Sequence, residues 1–250
     1  MGSSDKAWLD IQLLAHEMYL LNNLSHNNII KIIGFVEDAK DGTAWIVLPW
    51  EENGNLREFV ASADWDSLTA FKIYDVVSGI KYLHDREPPI CHGDLKSLNV
   101  LINSKNEAII TDFGSARPVE VAASGATITL TSSKWTLRWA APELLAGDLP
   151  DPASDIWAFG WICWEVMTSN FPFEGNSDVS TVLQIIHGKL PTVHGDGRVD
   201  HVIALANLMI DCWNLDPSKR PTAKSCERHI YWMVRHPNFL EFIPSSDPVT

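Results

Sequence analysis

The chain has 250 residues, 46% of them hydrophobic, and this length suits one large domain or two lobes around a core. Its formal net charge is −13, and because an acidic surface repels phosphate we expect neither a nucleic acid nor an anionic membrane as a partner. The sequence has no C-x-x-C pair, which argues against a zinc site. It has no apolar leader and no run of about 18 apolar residues, so we expect neither secretion nor a membrane span. These features favour the cytoplasm.

The N-terminal fifth of the chain predicts one helix and two strands. Apolar residues recur at helical spacing over residues 11–24, and residues 29–36 and 43–48 have the composition of strands around the turn at Asp41-Gly42. Further elements are predicted as helices at residues 56–63, 68–84, 155–168, 179–187, 199–212 and 223–234, and as short strands at residues 100–102 and 108–110. Such segregated helices and strands indicate an α+β fold.

Acidic and amide side chains lie on two loops that flank the predicted short hairpin. The run HGDLKSLN at residues 92–99 follows a long helix, and the run DFG that starts at Asp112 begins thirteen residues after Asn99. Two carboxylates and an amide from adjacent loops can converge on one point, as phosphoryl transfer requires. One carboxylate then orients the attacking hydroxyl, and the other holds Mg²⁺ together with the amide. A single Asp on a loop is more often a cap or a solvated turn residue, but the complete set in this order favours phosphoryl transfer.

The chain resembles the tyrosine-kinase-like branch of the protein kinases over about residues 10 to 235. The motifs that carry the resemblance are HEM at 16–18, HNNII at 26–30, LPWE at 48–51, NGNL at 53–56, TLRWAAPE at 136–143, DIWAFG at 155–160, CW at 212–213, DP at 216–217 and RPT at 220–222. The resemblance implies a protein kinase-like α+β fold with a mostly helical large lobe and an incomplete small lobe of one helix, αC, and two strands. It places the small lobe and hinge at residues 1–52, the large lobe at 53–236 and a tail at 237–250.

The resemblance assigns the chemistry to four residues of the two loops. Asp94 would be the catalytic base, and Lys96 would contact the γ-phosphate of ATP. Asn99 and Asp112 would hold Mg²⁺, so ATP and Mg²⁺ are the expected cofactors and a protein is the expected substrate. The run KSL after Asp94 resembles the serine/threonine kinase pattern, so the expected acceptor is a Ser or Thr hydroxyl.

The resemblance also implies a nucleotide site between the lobes. Leu48, Pro49 and Glu51 would form the hinge beside adenine, where Pro49 offers its carbonyl and Glu51 its backbone. Leu101 would pack under the adenine, and Glu17 would be the ion-pairing carboxylate of αC. The positions with an implied structural role are Glu143 and Arg220 as an ion pair, Asp155 as a brace for the catalytic loop, and Leu21, Ile32, His92 and Phe113 as a stacked spine.

The small lobe departs from the family pattern. Only sixteen residues precede Glu17, no G-x-G-x-x-G motif is present, and Lys6 is the only lysine upstream of Glu17. We therefore expect Lys6 to be a surface residue, Glu17 to lack a partner, and activity to be impaired because the phosphates lose their positioning. A two-stranded sheet is marginal in water, and its uncovered apolar residues invite a protein partner. The residues expected to be partly uncovered are Ile29, Ile32, Ile33 and Val47.

Gly93 stands where the family has an Arg that pairs with a phosphorylated residue of the activation loop. The corresponding segment, residues 115–136, is rich in Ser, Thr, Ala and Gly and is predicted to be a mobile loop. Because Gly93 has no side chain to bind phosphate, phosphorylation within residues 124–133 is not expected to switch activity through this position. The tail from Pro237 onward is predicted to be loosely attached.

Two other functions compete with that of an active protein kinase. The HGD run also resembles small-molecule phosphotransferases of the aminoglycoside type, which lack the APE, DIWAFG and RPT segments found here. A pseudokinase or scaffold that binds a protein through the incomplete small lobe is the second alternative. Mg-ATP binding separates an enzyme from a scaffold, and the choice between a peptide and an aminoglycoside as acceptor separates the two enzymes.

Overall fold

A computed structural model of the protein describes residues 3–38, 43–62, 67–119, 136–190 and 199–235. The helices in these ranges are α1 Ser3–Asn22, α2 Leu56–Ser62, α3 Ser67–His84, α4 Pro142–Leu145, α5 Pro152–Thr168, α6 Asp178–Ile186, α7 Val199–Cys212 and α8 Ala223–Arg235. The strands are β1 Gly34–Asp38, β2 Thr43–Val47, β3 Ile90–Cys91, β4 Val100–Ile102, β5 Ala108–Ile110 and β6 Arg117–Pro118. They form three antiparallel pairs, β1 with β2, β3 with β6 and β4 with β5, which confirms the predicted α+β class.

Most predicted elements have the expected type, and one strand is misplaced. The bounds of α7, β4 and β5 agree with the prediction, whereas the strand predicted at residues 29–36 occurs at Gly34–Asp38. The reason lies in the backbone hydrogen bonds of the preceding segment: Ile30 N donates to Ile110 O at 2.9 Å, and Ile110 N donates to Asn28 O at 2.9 Å. Residues 28–30 therefore pair with β5 of the large lobe and not with β2.

Helix α5 is the centre of the core. It starts with a capping box in which the Asp151 side chain accepts from Ser154 N, and Pro152 occupies the first turn, where a missing N–H costs nothing. Nearly all of its side chains are buried, including Trp157 and Trp161. The helix consequently carries its few acidic side chains into the interior, close to the loops described below.

Close helix packing at Gly160 joins α5 to α7. A Cβ atom at Gly160 would lie 2.7 Å from Nε1 of Trp213 and 3.0 Å from Cβ of Cys212. The ring centroids of Trp161 and Trp213 are 4.3 Å apart, and Phe173 stacks on Trp161 at 4.7 Å. The glycine thus allows two indole rings to meet inside the large lobe.

The predicted ion pair between Glu143 and Arg220 is confirmed. Arg220 Nη1 donates to Glu143 Oε1 at 2.6 Å, and Nη2 donates to Oε2 at 2.8 Å, which is a bidentate pair on a buried guanidinium. It ties α4 to the segment that precedes α8. The predicted buried thiol of Cys163 is also confirmed.

The β1–β2 sheet presents apolar side chains to solvent. Ile33 and Val47 are exposed as predicted, whereas the prediction for Ile29 was wrong, because Ile29 is 4% exposed beside β5. Larger exposed residues were not foreseen: Phe35 is 58% exposed, and Trp45 is 52% exposed. By the strand register Trp45 shares a face with its partner Val36, whereas Phe35 lies on the opposite face with Ile46, so within the described residues both faces of the sheet carry an exposed aromatic side chain.

Some predictions fall outside the described residues. These include most of the loop predicted at residues 115–136, the phosphorylation prediction for residues 124–133, the tail from residue 237, and the side chain of Lys6. The part of this loop that is described contains β6. No helix in the described part of the chain has the length and apolar character needed to cross a bilayer.

Candidate active site

The Asp94 carboxylate is the meeting point of the predicted site. Its Oδ1 accepts hydrogen bonds from Thr136 N at 2.9 Å and from Thr136 Oγ1 at 2.7 Å. Its Oδ2 accepts from Lys96 Nζ at 2.6 Å and from Asn99 Nδ2 at 3.3 Å. The structure thereby brings three of the four predicted catalytic residues into direct contact.

Thr136 belongs to this cluster although the sequence did not assign it a role there. Lys96 Nζ donates to Thr136 Oγ1 at 2.7 Å as well as to Asp94, so ammonium, hydroxyl and carboxylate form a closed triangle. The available signal was the position of Thr136 at the start of the TLRWAAPE run. The triangle holds the segment after residue 135 against the catalytic loop.

Asn99 and Asp112 present oxygen atoms of the kind that Mg²⁺ prefers. Asn99 is buried, and its Nδ2 donates to Asp94 O at 2.9 Å, so its Oδ1 is the atom left for a cation. Asp112 is exposed and has a left-handed backbone with φ of 62°, an uncommon conformation that occurs at functional sites. An amide oxygen and an unburied carboxylate fit a magnesium ion.

Two backbone links hold these loops side by side. Thr111 N donates to Asn99 O at 2.9 Å, and His92 Nε2 lies 3.0 Å from Thr111 O. The His92 and Phe113 rings meet edge-on with centroids 5.0 Å apart, which agrees with the predicted stacking of these two residues. Asn99 directly precedes β4, and Asp112 closely follows β5. The backbone contacts therefore hold these two residues at the same end of the β4–β5 pair.

The predicted brace by Asp155 is confirmed. His92 N donates to Asp155 Oδ2 at 2.8 Å, and Gly93 N donates to Oδ1 at 2.9 Å. His84 Nε2 lies 3.0 Å from the same Oδ2. Burial would raise the pKa of Asp155, but the hydrogen bonds from His84 and the backbone outweigh it and hold the pKa below its ordinary value. A charged Asp155 thus fixes the backbone just before Asp94.

Gly93 adopts a conformation that other residues avoid. Its φ is 79°, and a Cβ atom there would lie 3.0 Å from Ser115 O. An arginine at this position would need a shift of the backbone next to Asp94. Gly93 therefore also has a conformational role, beyond the loss of an arginine side chain.

Glu17 has a partner, contrary to the prediction. Phe113 N donates to Glu17 Oε1 at 3.1 Å, and the neighbouring His16 Nε2 lies 2.8 Å from Ala116 O. Burial, and after it the nearby Asp112 carboxylate, raise the pKa of Glu17 above its ordinary value. Side chains of helix α1 thus join the helix to backbone atoms of the segment after Asp112. The contact of Glu17 that the described residues show is to a backbone N–H and not to a lysine side chain.

The segment that follows the predicted hinge lies next to the strand that carries Leu101. Ile102 N donates to Gly54 O at 2.9 Å, and Asn55 forms a bridge with Leu101. Leu101 itself is half-buried, as are the three other predicted nucleotide-site residues, Leu48, Pro49 and Glu51. The residues that follow the predicted hinge, Gly54 and Asn55, therefore lie at the edge of β4 beside Leu101.

Comparison with known proteins agrees with this geometry. Residues 3–232 match the family model described as protein kinase domain. The chain is 32% identical over 208 residues to the serine/threonine-protein kinase/receptor R818 of Acanthamoeba polyphaga mimivirus, covering 82% of the chain and 12% of that relative. It is 32% identical over 246 residues to ephrin type-A receptor 4-B of Xenopus laevis, covering 96% of the chain and 24% of that relative. The chain therefore spans a quarter or less of the length of these relatives, and it belongs to the protein kinase domain family.

Proposed function

We propose that this chain transfers the γ-phosphate of ATP to serine or threonine hydroxyls of a protein substrate. The observation that supports the proposal best is the contact of Asp94 with Lys96, Asn99 and Thr136, together with the hydrogen bond from Thr111 N to Asn99 O next to Asp112. In this set Asp94 is the proton acceptor and Lys96 is the positively charged side chain. Asn99 and Asp112 are the magnesium ligands that phosphoryl transfer needs. Family membership makes ATP and a protein the expected reactants.

In the proposed mechanism Asp94 orients the substrate hydroxyl and accepts its proton. The hydroxyl would take the place of Thr136 Oγ1, which now donates to Asp94 Oδ1. Lys96 lies 2.6 Å from Asp94 Oδ2 and would stabilise the negative charge on the transferred phosphoryl group. Asn99 and Asp112 would hold Mg²⁺, which neutralises the phosphates when it is bound.

Serine and threonine are the proposed acceptors because the run KSL at 96–98, directly after Leu95, resembles the serine/threonine kinase pattern. Lys96 of this run contacts the Asp94 carboxylate. The mimivirus relative is described as a serine/threonine kinase and the frog relative as an ephrin receptor, so the comparisons leave both classes represented. Transfer to tyrosine peptides in preference to serine and threonine peptides would contradict the proposal.

The nucleotide is proposed to bind between the lobes, residues 1–52 and residues 53–236. Adenine would contact the Pro49 carbonyl and the Glu51 backbone beside Leu48, with Leu101 beneath it.

An intracellular location is also proposed, since the four cysteines are buried and form no disulfide.

We propose that these 250 residues alone transfer phosphate slowly. No G-x-G-x-x-G motif precedes Glu17, whose carboxylate accepts a hydrogen bond from the backbone N–H of Phe113. Positioning of the phosphates supplies most of the rate of phosphoryl transfer, so weaker positioning lowers it.

A protein-binding scaffold is the second candidate function, and the exposed apolar face of the β1–β2 sheet favours it. Trp45 and its cross-strand partner Val36 lie on one face of the sheet together with Val47, and the side chains of Trp45 and Val36 are each more than half exposed. Contiguous apolar surface of this kind marks an interaction site. A protein partner at the small lobe is compatible with either function.

The deciding experiment measures Mg-ATP binding and transfer of labelled γ-phosphate to serine, threonine and tyrosine peptides. The test variant is Asp112→Asn, and the matched control is Asp148→Asn, which removes the same charge from an exposed residue after α4. Metal-dependent transfer that is lost in Asp112→Asn and retained in Asp148→Asn would support a kinase. Tight binding of a folded protein without any Mg-ATP binding would support the scaffold instead.

A further inference from the structure

Glu165 is a buried carboxylate outside the set of predicted site residues. It lies on α5 and is 2% exposed. Ser97 Oγ donates to its Oε1 at 2.5 Å, and the indole Nε1 of Trp139 donates to its Oε2 at 2.8 Å. Ser97 N adds a longer contact to Oε2 at 3.4 Å. The carboxylate is thus bound from two separate segments of the chain.

Both of these segments also contact the Asp94 side chain. Ser97 lies between Lys96 and Asn99, whose side chains contact the Asp94 carboxylate. Trp139 follows Thr136 in the turn that begins at Thr136, and Thr136 donates two hydrogen bonds to Asp94. Glu165 and Asp94 therefore connect the same two segments. Glu165 does so from helix α5, and Asp94 does so at the site where we propose that the substrate binds.

A carboxylate is a costly way to fill this position. Burial raises the pKa of Glu165 to about 7, while the hydrogen bonds from Ser97 and Trp139 and the positive charge of Arg57 act in the opposite direction. A leucine of similar volume would avoid the desolvation cost. What a leucine could not supply is a pair of acceptors that fix the Ser97 hydroxyl and the Trp139 indole relative to each other.

We propose that Glu165 is a positioning residue for phosphoryl transfer, which locks the catalytic loop to the substrate-side segment through Ser97 and Trp139. The inference rests on the proposed kinase function. In this role Glu165 touches neither substrate nor nucleotide. It acts by keeping Asp94, Lys96 and Thr136 in register, so its loss lowers kcat more than it changes the KM for Mg-ATP.

The test compares Glu165→Gln with Glu165→Leu. Glutamine keeps an acceptor for the Trp139 indole and places a donor against Ser97 Oγ, so kcat is expected to stay within about threefold of the unsubstituted protein. Leucine removes both contacts, and kcat is expected to fall about 10- to 100-fold with the KM for Mg-ATP within about twofold. Trp164→Phe, on the same helix and half-buried, is the matched control and should leave kcat unchanged.

A double-mutant cycle keeps the inference testable where Glu165→Leu fails to fold. Ser97→Ala and Trp139→Phe each remove one hydrogen bond to Glu165, and each is expected to lower kcat about tenfold. Because either change already breaks the link, the double variant is expected to lose about the same factor and not the product of the two.

Two results would overturn the inference while leaving the kinase function intact. One is a loss of kcat in the double variant that equals the product of the two single losses. The other is a Glu165→Leu variant that unfolds cooperatively and retains full kcat. An unsubstituted protein that transfers no phosphate would defeat the proposed function, and the positioning role with it. The two failures are thus separated by the activity of the unsubstituted protein.

Discussion

The β1–β2 sheet and helix α5 show opposite ways of using large apolar side chains. In the sheet, Phe35 and Trp45 face solvent, whereas in α5 Trp157 and Trp161 are completely buried. Burial of apolar surface is the main stabilising term of a fold, so α5 holds the large lobe together and the sheet contributes little to its own stability. Stability in this molecule is therefore concentrated in one lobe.

The same division applies to the chemistry. The Asp94 cluster lies on loops that are braced by Asp155 of α5, while helix α1 of the small lobe reaches the segment after Asp112 through the hydrogen bond from Phe113 N to Glu17. A rigid scaffold thus positions the groups proposed to transfer the phosphate, whereas the β1–β2 sheet leaves large side chains exposed. Changes in the small lobe and changes in the catalytic groups should therefore have separable effects, and four sets of substitutions test this contrast.

The largest effect is expected from Asp94→Asn. The amide cannot accept the proton of a substrate hydroxyl, so kcat should fall by about 10³-fold, as is typical for removal of a general base. Asparagine has the shape of aspartate and can accept the hydrogen bond from Thr136 N, so cooperative unfolding should be retained. The measurement is labelled phosphate transfer to a serine peptide at saturating Mg-ATP. Transfer within tenfold of the unsubstituted rate would remove Asp94 from its proposed role.

The next effect is a dependence of stability on pH that originates in α5. The pKa of Glu165 in the folded protein is about 7, above its ordinary value of 4.5. A raised carboxyl pKa means that the folded state binds the proton more tightly, so stability is highest below pH 4.5 and is lost as pH rises through 7. The free energy of unfolding should fall by about 2 to 3 kcal/mol between pH 5 and pH 8 from this group.

Glu165→Gln isolates that contribution. The variant has no titrating group at this position, so the pH-dependent part of the unfolding free energy that it lacks is the part due to Glu165. Denaturant unfolding at several pH values measures the difference. Identical pH profiles for the two proteins would show that Glu165 has an ordinary pKa in the fold.

A third test compares the two lobes by adding the same methyl group to each. Gly160→Ala places Cβ 2.7 Å from the Trp213 indole, and overpacking of this kind should lower the free energy of unfolding by about 1 to 3 kcal/mol. Gly34→Ala in β1 is the matched control, since a Cβ there has no neighbour within 4 Å and should change stability by less than about 0.5 kcal/mol. Equal effects would contradict the proposed concentration of stability in α5.

The sequence predicted the residues of the site better than their partners. Asp94, Lys96 and Asn99 lie in one short run, so their contact could be predicted from spacing, and β4 and β5 were placed correctly because two short apolar runs flank a turn. Thr136 lies 42 positions from Asp94, and no local pattern indicates that its hydroxyl returns to that carboxylate. Contacts between distant segments depend on the packing of α5, which local spacing does not encode.

Two errors have the same origin. Residues 28–30 have strand composition, yet their backbone groups bond to Ile110, so the strand partner lies eighty positions away. The expectation that Glu17 lacks a partner rests on the missing lysine upstream of it, whereas its partner is the backbone N–H of Phe113, which leaves no signature in the sequence. Glu165 interrupts an apolar helical run, where a single acid is more often a partly exposed residue, so the pattern assigns it no role.

The smallest effect on stability is expected from polar substitutions on the exposed face of the β1–β2 sheet. Val36→Ser combined with Trp45→Thr removes two cross-strand neighbours on one face that are each more than half exposed, so little buried area is lost and the free energy of unfolding should change by about 0.5 kcal/mol or less. The same pair should abolish any protein binding through this face, because exposed aromatic residues dominate such interfaces. Unfolding curves and a pull-down with each protein, alone and with Mg-ATP, measure both effects. A loss of stability above about 2 kcal/mol would mean that these side chains are covered in the folded protein, and the contrast between the lobes would then be smaller than their exposure indicates.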